Sequence, residues 1–256
     1  MGNVFIFNPV PLWDHHLAET LDLAIDLSKK YNQIFIFDCN KKLKHCPANI
    51  YNNDRICENC LGRQAKIKSQ SQFQRFKFTD LSEVDESKKH DEEIASYILE
   101  NIDHDMVFIR KDAFFEMSSS SEKDLIYFSA MTLYLQVIDF IKKNSVDTVF
   151  VWNGRRIYEK MVIMAAKSLD VKVRTYISGP KIGSYVIVDD DNVFSLKHIK
   201  KNVDEITQRC MEDEEFRELV FEEGRKFFEN QEKGVVDRPL GIANFSNQNN
   251  KIFDGL

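Results

Sequence analysis

The sequence predicts an α/β protein with a mainly parallel sheet and helices on both faces. Three short apolar runs carry this prediction, at residues 4–7, 34–37 and 148–152. Continuous runs of β-branched and aromatic residues are typical of strands that are covered on both faces. A segment with helical spacing separates the first two runs and another follows the third, so strands and helices alternate along the chain.

The first strand–helix–strand unit occupies the N-terminal forty residues. The strand at residues 4–7 ends at Asn8-Pro9, and Asp14 is placed to cap a helix from residue 15 to about residue 31. The strand at residues 34–37 follows directly. A unit of this kind predicts two parallel strands joined by a right-handed crossover.

Residues 39–60 form a cysteine-rich loop, in which Cys39, Cys46, Cys57 and Cys60 follow the spacing C-x6-C-x10-C-x2-C. Four close thiols that include a CxxC pair suit tetrahedral Zn²⁺, and a reducing cytoplasm disfavours disulfides. Four thiolates would close the zinc shell and make it structural, with His45 as a possible substitute ligand. Iron–sulfur ligation and small buried free thiols are the alternatives.

The middle of the chain is less regular. Residues 64–90 are polar without clear periodicity and predict a surface segment, whereas residues 92–102 predict a helix. Residues 106–109 fit a strand or a helix. A long helix to about residue 143 follows residues 118–121, where Ser121 and Asp124 have the form of a capping box.

The second clear unit begins at residue 148. It comprises the strand at residues 148–152, a turn, and a helix at 157–169, followed by strands at 171–177 and 184–188 and helices at 195–211 and 214–230. Residues 231–256 lose this pattern and predict a linker or tail towards a second domain. We therefore expect one domain over residues 1–230.

The turn after the third apolar run is the leading candidate site. It contains Asn153, Gly154, Arg155 and Arg156, beyond the carboxyl end of a parallel strand, where open α/β sheets bind ligands. A guanidinium can bind a phosphate or a sugar carboxylate in bidentate fashion beside a helix N-terminus. Arg155 and Arg156 point in different directions, so we expect at most one of them to face the site, and we favour Arg155. The alternatives are solvated arginines, pairing with Glu159, and a purely structural Asn-Gly turn.

Asp14, His15 and His16 lie at the first strand-to-helix loop, which the predicted fold places at the same sheet edge. A histidine there can accept a proton from a hydroxyl group, with Asp14 orienting the imidazole or acting as the base itself. The alternative is a capping aspartate followed by surface histidines.

Charge and hydropathy exclude other classes. A net charge of −6 argues against general nucleic-acid binding, which needs a basic face. The N-terminus has no charged leader before its apolar run, and no apolar run approaches membrane-spanning length. We expect a cytoplasmic protein.

Several motifs, taken in order, resemble one known family. They are Trp13-Asp14-His15-His16-Leu17, then Cys39, Cys46-Pro47-Ala48-Asn49, Cys57 and Cys60, then Asn153-Gly154-Arg155. Together they resemble the N-terminal half of bacterial glycosyltransferases of capsule and surface polysaccharide biosynthesis, which have two Rossmann-like domains (the GT-B type). The likeness covers residues 1 to about 250.

The resemblance implies that this chain is the acceptor-side domain of a transferase, with a nucleotide-sugar donor bound by a second domain or a partner chain. It implies a saccharide acceptor and peripheral association with the inner-membrane assembly. The site residues would be Asp14 and His16 for catalysis, with His15, Asn153, Gly154, Arg155 and Arg156 for substrate binding. One departure is Tyr176-Ile177-Ser178-Gly179, where the family pattern has Tyr-Glu-x-Gly, so that an acidic group is missing. A non-catalytic, zinc-stapled binding module for an anionic sugar or nucleotide is the competing hypothesis.

Overall fold

The computed structural model describes residues 2–12, 14–46, 48–49, 52–81, 92–109, 120–179, 184–189 and 192–233. Its strands are β1 (Asn3–Phe7), β2 (Gln33–Phe37), β3 (Lys77–Thr79), β4 (Val146–Trp152), β5 (Lys172–Ser178) and β6 (Tyr185–Asp189). Its α-helices are α1 (Asp14–Leu27), α2 (Asp54–Lys68), α3 (Glu92–Ile109), α4 (Ser120–Asn144), α5 (Ile157–Lys167), α6 (Leu196–Glu212) and α7 (Glu214–Glu232).

The six strands form one sheet in the order β3-β2-β1-β4-β5-β6. The pairs β1–β2, β1–β4, β2–β3 and β4–β5 are all parallel. β6 follows β5 after a short connection, in which the N–H of Gly179 donates to the carbonyl oxygen of Ser184 at 2.7 Å. The sheet is therefore mixed but mostly parallel, and its strand order is that of doubly wound, Rossmann-like sheets. The predicted α/β class is confirmed.

The main core lies on one face of the sheet. Alternate strand residues point into it because successive side chains of a strand face opposite sides. These residues are Phe5 and Phe7 of β1, Phe35 and Phe37 of β2, and Val149 and Val151 of β4, and they pack with α3, α4 and α5. Each fully buried side chain of this size contributes about 1.5–3 kcal/mol relative to its exposed state.

α1 packs on the opposite face. Its inward residues Leu17, Leu21 and Ala24 are buried but do not belong to the main core. His16 of α1 contacts Trp152, which alternates with the core-facing residues of β4. Helices therefore cover both faces, as the sequence predicts.

Two predicted details were wrong. Residues 54–68 form α2, which Asn53 caps by accepting from the N–H of Arg55, and residues 77–79 add β3 to the sheet. This part of the chain has no periodic apolar pattern because α2 buries only Gln64 and so shows no apolar stripe. α4 begins at Ser120, so Ser121 lies inside its first turn rather than at its cap. Residues 106–109 continue α3, which is the helical one of the two alternatives that the sequence left open.

α4 passes the length and composition test for a membrane span, contrary to the expectation from the sequence. An 18-residue window within residues 122–144 has a mean hydropathy of 1.3, and 56% of this window is buried inside the protein. Its inward residues, among them Ile126, Leu133 and Val137, belong to the main core. Long apolar core helices share this composition with membrane spans.

The chain divides into two compact units. The first comprises residues 1–177 and 187–193, and the second comprises residues 178–186 and 194–256. In the second unit α6 and α7 pack against each other, and the guanidinium of Arg209 lies over the ring of Phe216 at 3.7 Å. The predicted domain limit at residue 230 stays a prediction, and residues 234–256 of the predicted tail lie outside the described part of the chain.

Candidate functional site

The strand order reverses between β1 and β4. β1 leads through α1 to β2 on one side, whereas β4 leads through α5 to β5 on the other. The loops that follow Phe7 and Trp152 therefore lie next to each other at the carboxyl edge of the sheet. Doubly wound sheets bind their ligands in the crevice at such a reversal.

Asn8 fixes the loop after β1. Its buried side-chain amide donates to the carbonyl oxygen of His16 at 3.0 Å and to Oγ1 of Thr20 at 2.9 Å, and its Oδ1 accepts from the N–H of Val10. Thr20 Oγ1 in turn lies 2.9 Å from the hydroxyl oxygen of Tyr176. This chain of hydrogen bonds joins β1, α1 and β5 beneath the site, and buried polar groups need such partners.

His16 and Trp152 bring the two loops into contact. Their ring centroids are 3.9 Å apart with an interplanar angle of 34°, and the two residues are 7% and 8% exposed. Nε1 of Trp152 donates to Oε2 of Glu19 at 3.0 Å. Asp14 and His15 are the first two residues of α1, but their side chains lie outside the described part of the chain.

The turn after β4 has an unusual backbone. Asn153 and Gly154 have φ of 65° and 81°, and the N–H of Gly154 donates to the carbonyl oxygen of Trp152 at 2.8 Å. A Cβ on Gly154 would lie 2.6 Å from Cγ2 of Thr175, so only glycine fits here. Positive φ at a non-glycine residue costs free energy and occurs often at functional sites.

Arg155 and Arg156 follow this turn at the start of α5. Arg155 is exposed, and its Nε–H donates to Oδ1 of Asn153 at 3.0 Å, which orients the guanidinium at the rim. The backbone N–H groups of both arginines donate to Oε2 of Glu159 at 2.8 Å. The carboxylate of Glu159, fully buried, therefore occupies the N-terminus of α5, so these two N–H groups already have an internal anion as acceptor. The predicted help from the helix N-terminus is thus weakened, and anion binding by the Arg155 guanidinium stays a prediction.

Asp38 is a buried carboxylate at the same edge, directly after β2. It forms an ion pair with Lys68 of α2, and its N–H donates to the carbonyl oxygen of Thr79 at 2.7 Å. Its Oδ1 is buried and has no hydrogen-bond partner among the described residues. An unsatisfied buried carboxylate oxygen is costly in free energy.

The four clustered cysteines line one small cavity of about 40 Å³. Cys39 follows β2, Cys46 lies in a turn closed by a bridge to Asn49, and Cys57 and Cys60 lie one turn apart on α2. All are free thiols. Among the described residues, no group of three or more His, Cys, Asp or Glu side chains is arranged to hold a metal ion. The zinc prediction therefore stays a prediction.

Burial raises the pKa of the Cys39 thiol to about 11, against the hydrogen bond from the N–H of Leu43, and the nearby Cys60 and Cys57 raise it further. Burial likewise raises the pKa of Cys46 to about 12, and the charges of the other three cysteines act in the same direction. The pKa of Cys60 is also raised, mainly by burial. Each thiolate disfavours the others because like charges in one site repel.

The structure brings together the loops of His16 and Arg155 at one edge, as their positions after strands predict. Whether these residues bind a ligand stays a prediction. Sequence reasoning missed Asn8 and Asp38, although each is a polar residue directly after a buried strand, which is a signal that could have found them. It also missed Tyr176 and Thr20, because nothing in the sequence shows that β5 and α1 meet.

Comparisons of the chain with protein-family models, with curated proteins and with solved structures gave no match.

Proposed function

We propose that this chain binds a saccharide acceptor at the edge between β1 and β4, as the acceptor side of a glycosyltransferase for capsule or surface polysaccharide. The observation that carries the proposal is the convergence of two polar loops at the strand-order reversal, through the contact of His16 with Trp152. The exposed guanidinium of Arg155 suits a ligand that carries negative charge. The motif resemblance adds the reaction class.

In this proposal the acceptor hydroxyl oxygen attacks the anomeric carbon of a nucleotide-sugar. The new glycosidic bond forms as the bond from that carbon to the phosphate oxygen breaks, and the nucleoside phosphate leaves with the bonding pair. Asp14 or His16 takes the proton of the hydroxyl group, while Arg155, Arg156, Asn153 and His15 position the acceptor. A second domain or a partner chain supplies the donor, in the cytoplasm and at the periphery of the inner-membrane assembly.

The binding step is tested by thermal melting of the full chain with nucleotide-sugars and acidic oligosaccharides. We expect an acidic saccharide to raise the melting temperature of the parent and of Arg225→Ala, because Arg225 is an exposed arginine of α7 outside the site. Arg155→Ala should lose most of the shift. An equal shift in the parent and Arg155→Ala would place the ligand elsewhere.

A non-catalytic binding module is the second candidate, and the burial of His16 against Trp152 favours it. A buried imidazole is a poor base for an incoming hydroxyl group, and Ser178-Gly179 lacks the acidic residue of the family pattern. Release of the nucleoside phosphate from nucleotide-sugars, with acceptor and any donor-binding partner present, separates the candidates. Turnover that falls at least about tenfold in Asp14→Asn or His16→Gln supports the transferase. Saccharide binding without turnover supports the module.

A further inference from the structure

We propose that Cys39, Cys46, Cys57 and Cys60 bind a single Zn²⁺ ion as four thiolates, and that this ion holds the loop after β1 in place. The first half of this proposal, zinc binding, concerns the four thiols alone. The second half, the fixed loop, concerns the edge of the sheet where the proposed saccharide site lies, but its test needs no saccharide.

Three separate segments of the chain supply the four thiols. The end of β2 gives Cys39, the turn at residues 46–49 gives Cys46, and the first two turns of α2 give Cys57 and Cys60. All four side chains line the same cavity. A buried thiol can serve as an ordinary small apolar residue, but four from three segments around one cavity match the ligand set of a structural zinc site.

Two of these sulfur atoms accept a hydrogen bond from a side-chain amide. The side-chain amide of Asn49 donates to Cys57 at 3.2 Å, and that of Gln64 donates to Cys60 at 3.3 Å.

These donors suit thiolates at Cys57 and Cys60, because a neutral thiol sulfur is a weak acceptor and a thiolate is a strong one. Four thiolates in one cavity would repel each other without a cation, and a bound Zn²⁺ would supply that cation. Such donors also orient and tune the ligands of a metal site from its outer shell.

The cavity between the four thiols is small, about 40 Å³. The thiols line the cavity without yet converging on one point. Each sulfur moves by rotation about a single χ1 bond, so the binding free energy of the metal can draw the four into tetrahedral geometry.

The same cavity touches the loop after β1. Pro9, Pro11 and Leu12 form part of its wall, and the guanidinium of Arg63 donates to the carbonyl oxygen of Leu12 at 2.7 Å. Arg63 lies on α2 three residues after Cys60. Zinc bound to two thiolates of α2 would therefore also fix the position of Arg63. The guanidinium of Arg63 holds the loop after β1, and this loop leads on to His16.

Metal analysis of the purified full chain tests the first half. We expect about one equivalent of zinc, released in step with the titration of four thiols by an organomercurial reagent. Reconstitution with Co²⁺ should give the visible ligand-field bands and the thiolate charge-transfer band of a tetrahedral site. Less than about a tenth of an equivalent of metal with no cobalt spectrum, or multiple irons with inorganic sulfide, would overturn the assignment.

Variants give the control. Cys57→Ser with Cys60→Ser should lose the zinc and the cobalt spectrum, whereas Cys210→Ser should keep both, because Cys210 lies on α6 away from the cluster in sequence. The cobalt spectrum and thiol release of the parent decide the question even where the double variant fails to fold. Full zinc content in a soluble double variant would contradict the proposal.

Tryptophan fluorescence tests the second half. The chain has two tryptophans, so Trp13→Phe leaves Trp152 as the single reporter. Removal of zinc should loosen the loop and raise the acrylamide quenching of Trp152, and added zinc should restore the protection. Unchanged quenching would show that zinc does not hold the loop after β1. Zinc binding and saccharide binding are decided by their own experiments.

Discussion

The imidazole of His16 stacks on the indole of Trp152 with ring centroids 3.9 Å apart, although the residues are far apart in the sequence. One ring belongs to the first turn of α1 and the other ends β4, so the contact joins the two loops of the candidate site. The contact exists because β1 lies beside β4 in the sheet.

His16→Ala should lower the free energy of unfolding by about 2 kcal/mol, since it removes an aromatic contact and leaves a cavity. Urea denaturation measures the loss. In a double-mutant cycle with Trp152→Leu we expect a coupling energy of about 0.5–1.5 kcal/mol. Strictly additive losses would show that the stacking adds nothing beyond burial.

Gly154→Ala should destabilise the protein by about 1–3 kcal/mol, because the residue has positive φ and its Cβ would collide with Thr175. Gly224→Ala is the matched control, since nothing lies within 4 Å of its added Cβ and it lies inside α7. That change should raise stability by up to about 1 kcal/mol. Thermal unfolding measures both, and equal shifts would contradict the described turn.

Glu159→Gln should have opposite effects on stability and on anion binding. Loss of the buried carboxylate weakens two hydrogen bonds from N–H groups and should cost about 1–3 kcal/mol. Removal of its negative charge from the start of α5 should tighten the binding of inorganic phosphate, as measured by calorimetry. Glu218→Gln, an exposed change on α7, serves as the control and should alter neither. Unchanged phosphate binding in Glu159→Gln would place the anion site away from α5.

Lys68→Ala should destabilise the protein by about 2 kcal/mol, because it leaves the buried carboxylate of Asp38 without its cation. The expected loss of stability is smaller than for a fully buried ion pair because the Lys68 side chain is 35% exposed. The double change Asp38→Asn with Lys68→Met should recover more than half of the loss, since no uncompensated charge remains. Urea denaturation at neutral pH makes the comparison.

The metal-free protein should lose stability in alkaline solution. The pKa values of Cys39 and Cys46 in the folded state, about 11 and about 12, lie above the ordinary value of 9.0. Their contribution is therefore fully present below pH 9, and it is lost as the pH rises towards 11 and then 12, because the unfolded chain ionises first. Melting temperatures with and without a chelator measure this. Bound zinc should flatten the loss in this window, since it keeps the thiols ionised. Identical profiles with and without the chelator would contradict the metal site, and a metal-free protein without alkaline loss would contradict the raised pKa values.

The sequence by itself determined the strands that later proved to be buried and the alternation of strand and helix. Runs such as residues 4–7 and 148–152 need no partner to be recognised, because continuous apolar character is a local property. The need for a turn at Asn153-Gly154 is local in the same way. The sequence did not predict α2 and β3. α2 buries a single glutamine and β3 has only three residues, so neither element has a periodic apolar pattern.

Only the tertiary structure decided which strands are neighbours. The pairing of β1 with β4, across about 140 residues of chain, places His16 on Trp152 and sets the position of the site. The same holds for the hydrogen bond between Thr20 and Tyr176 and for the meeting of four thiols from three segments. Such contacts depend on packing between distant elements, and local propensity carries no information about which distant elements will meet.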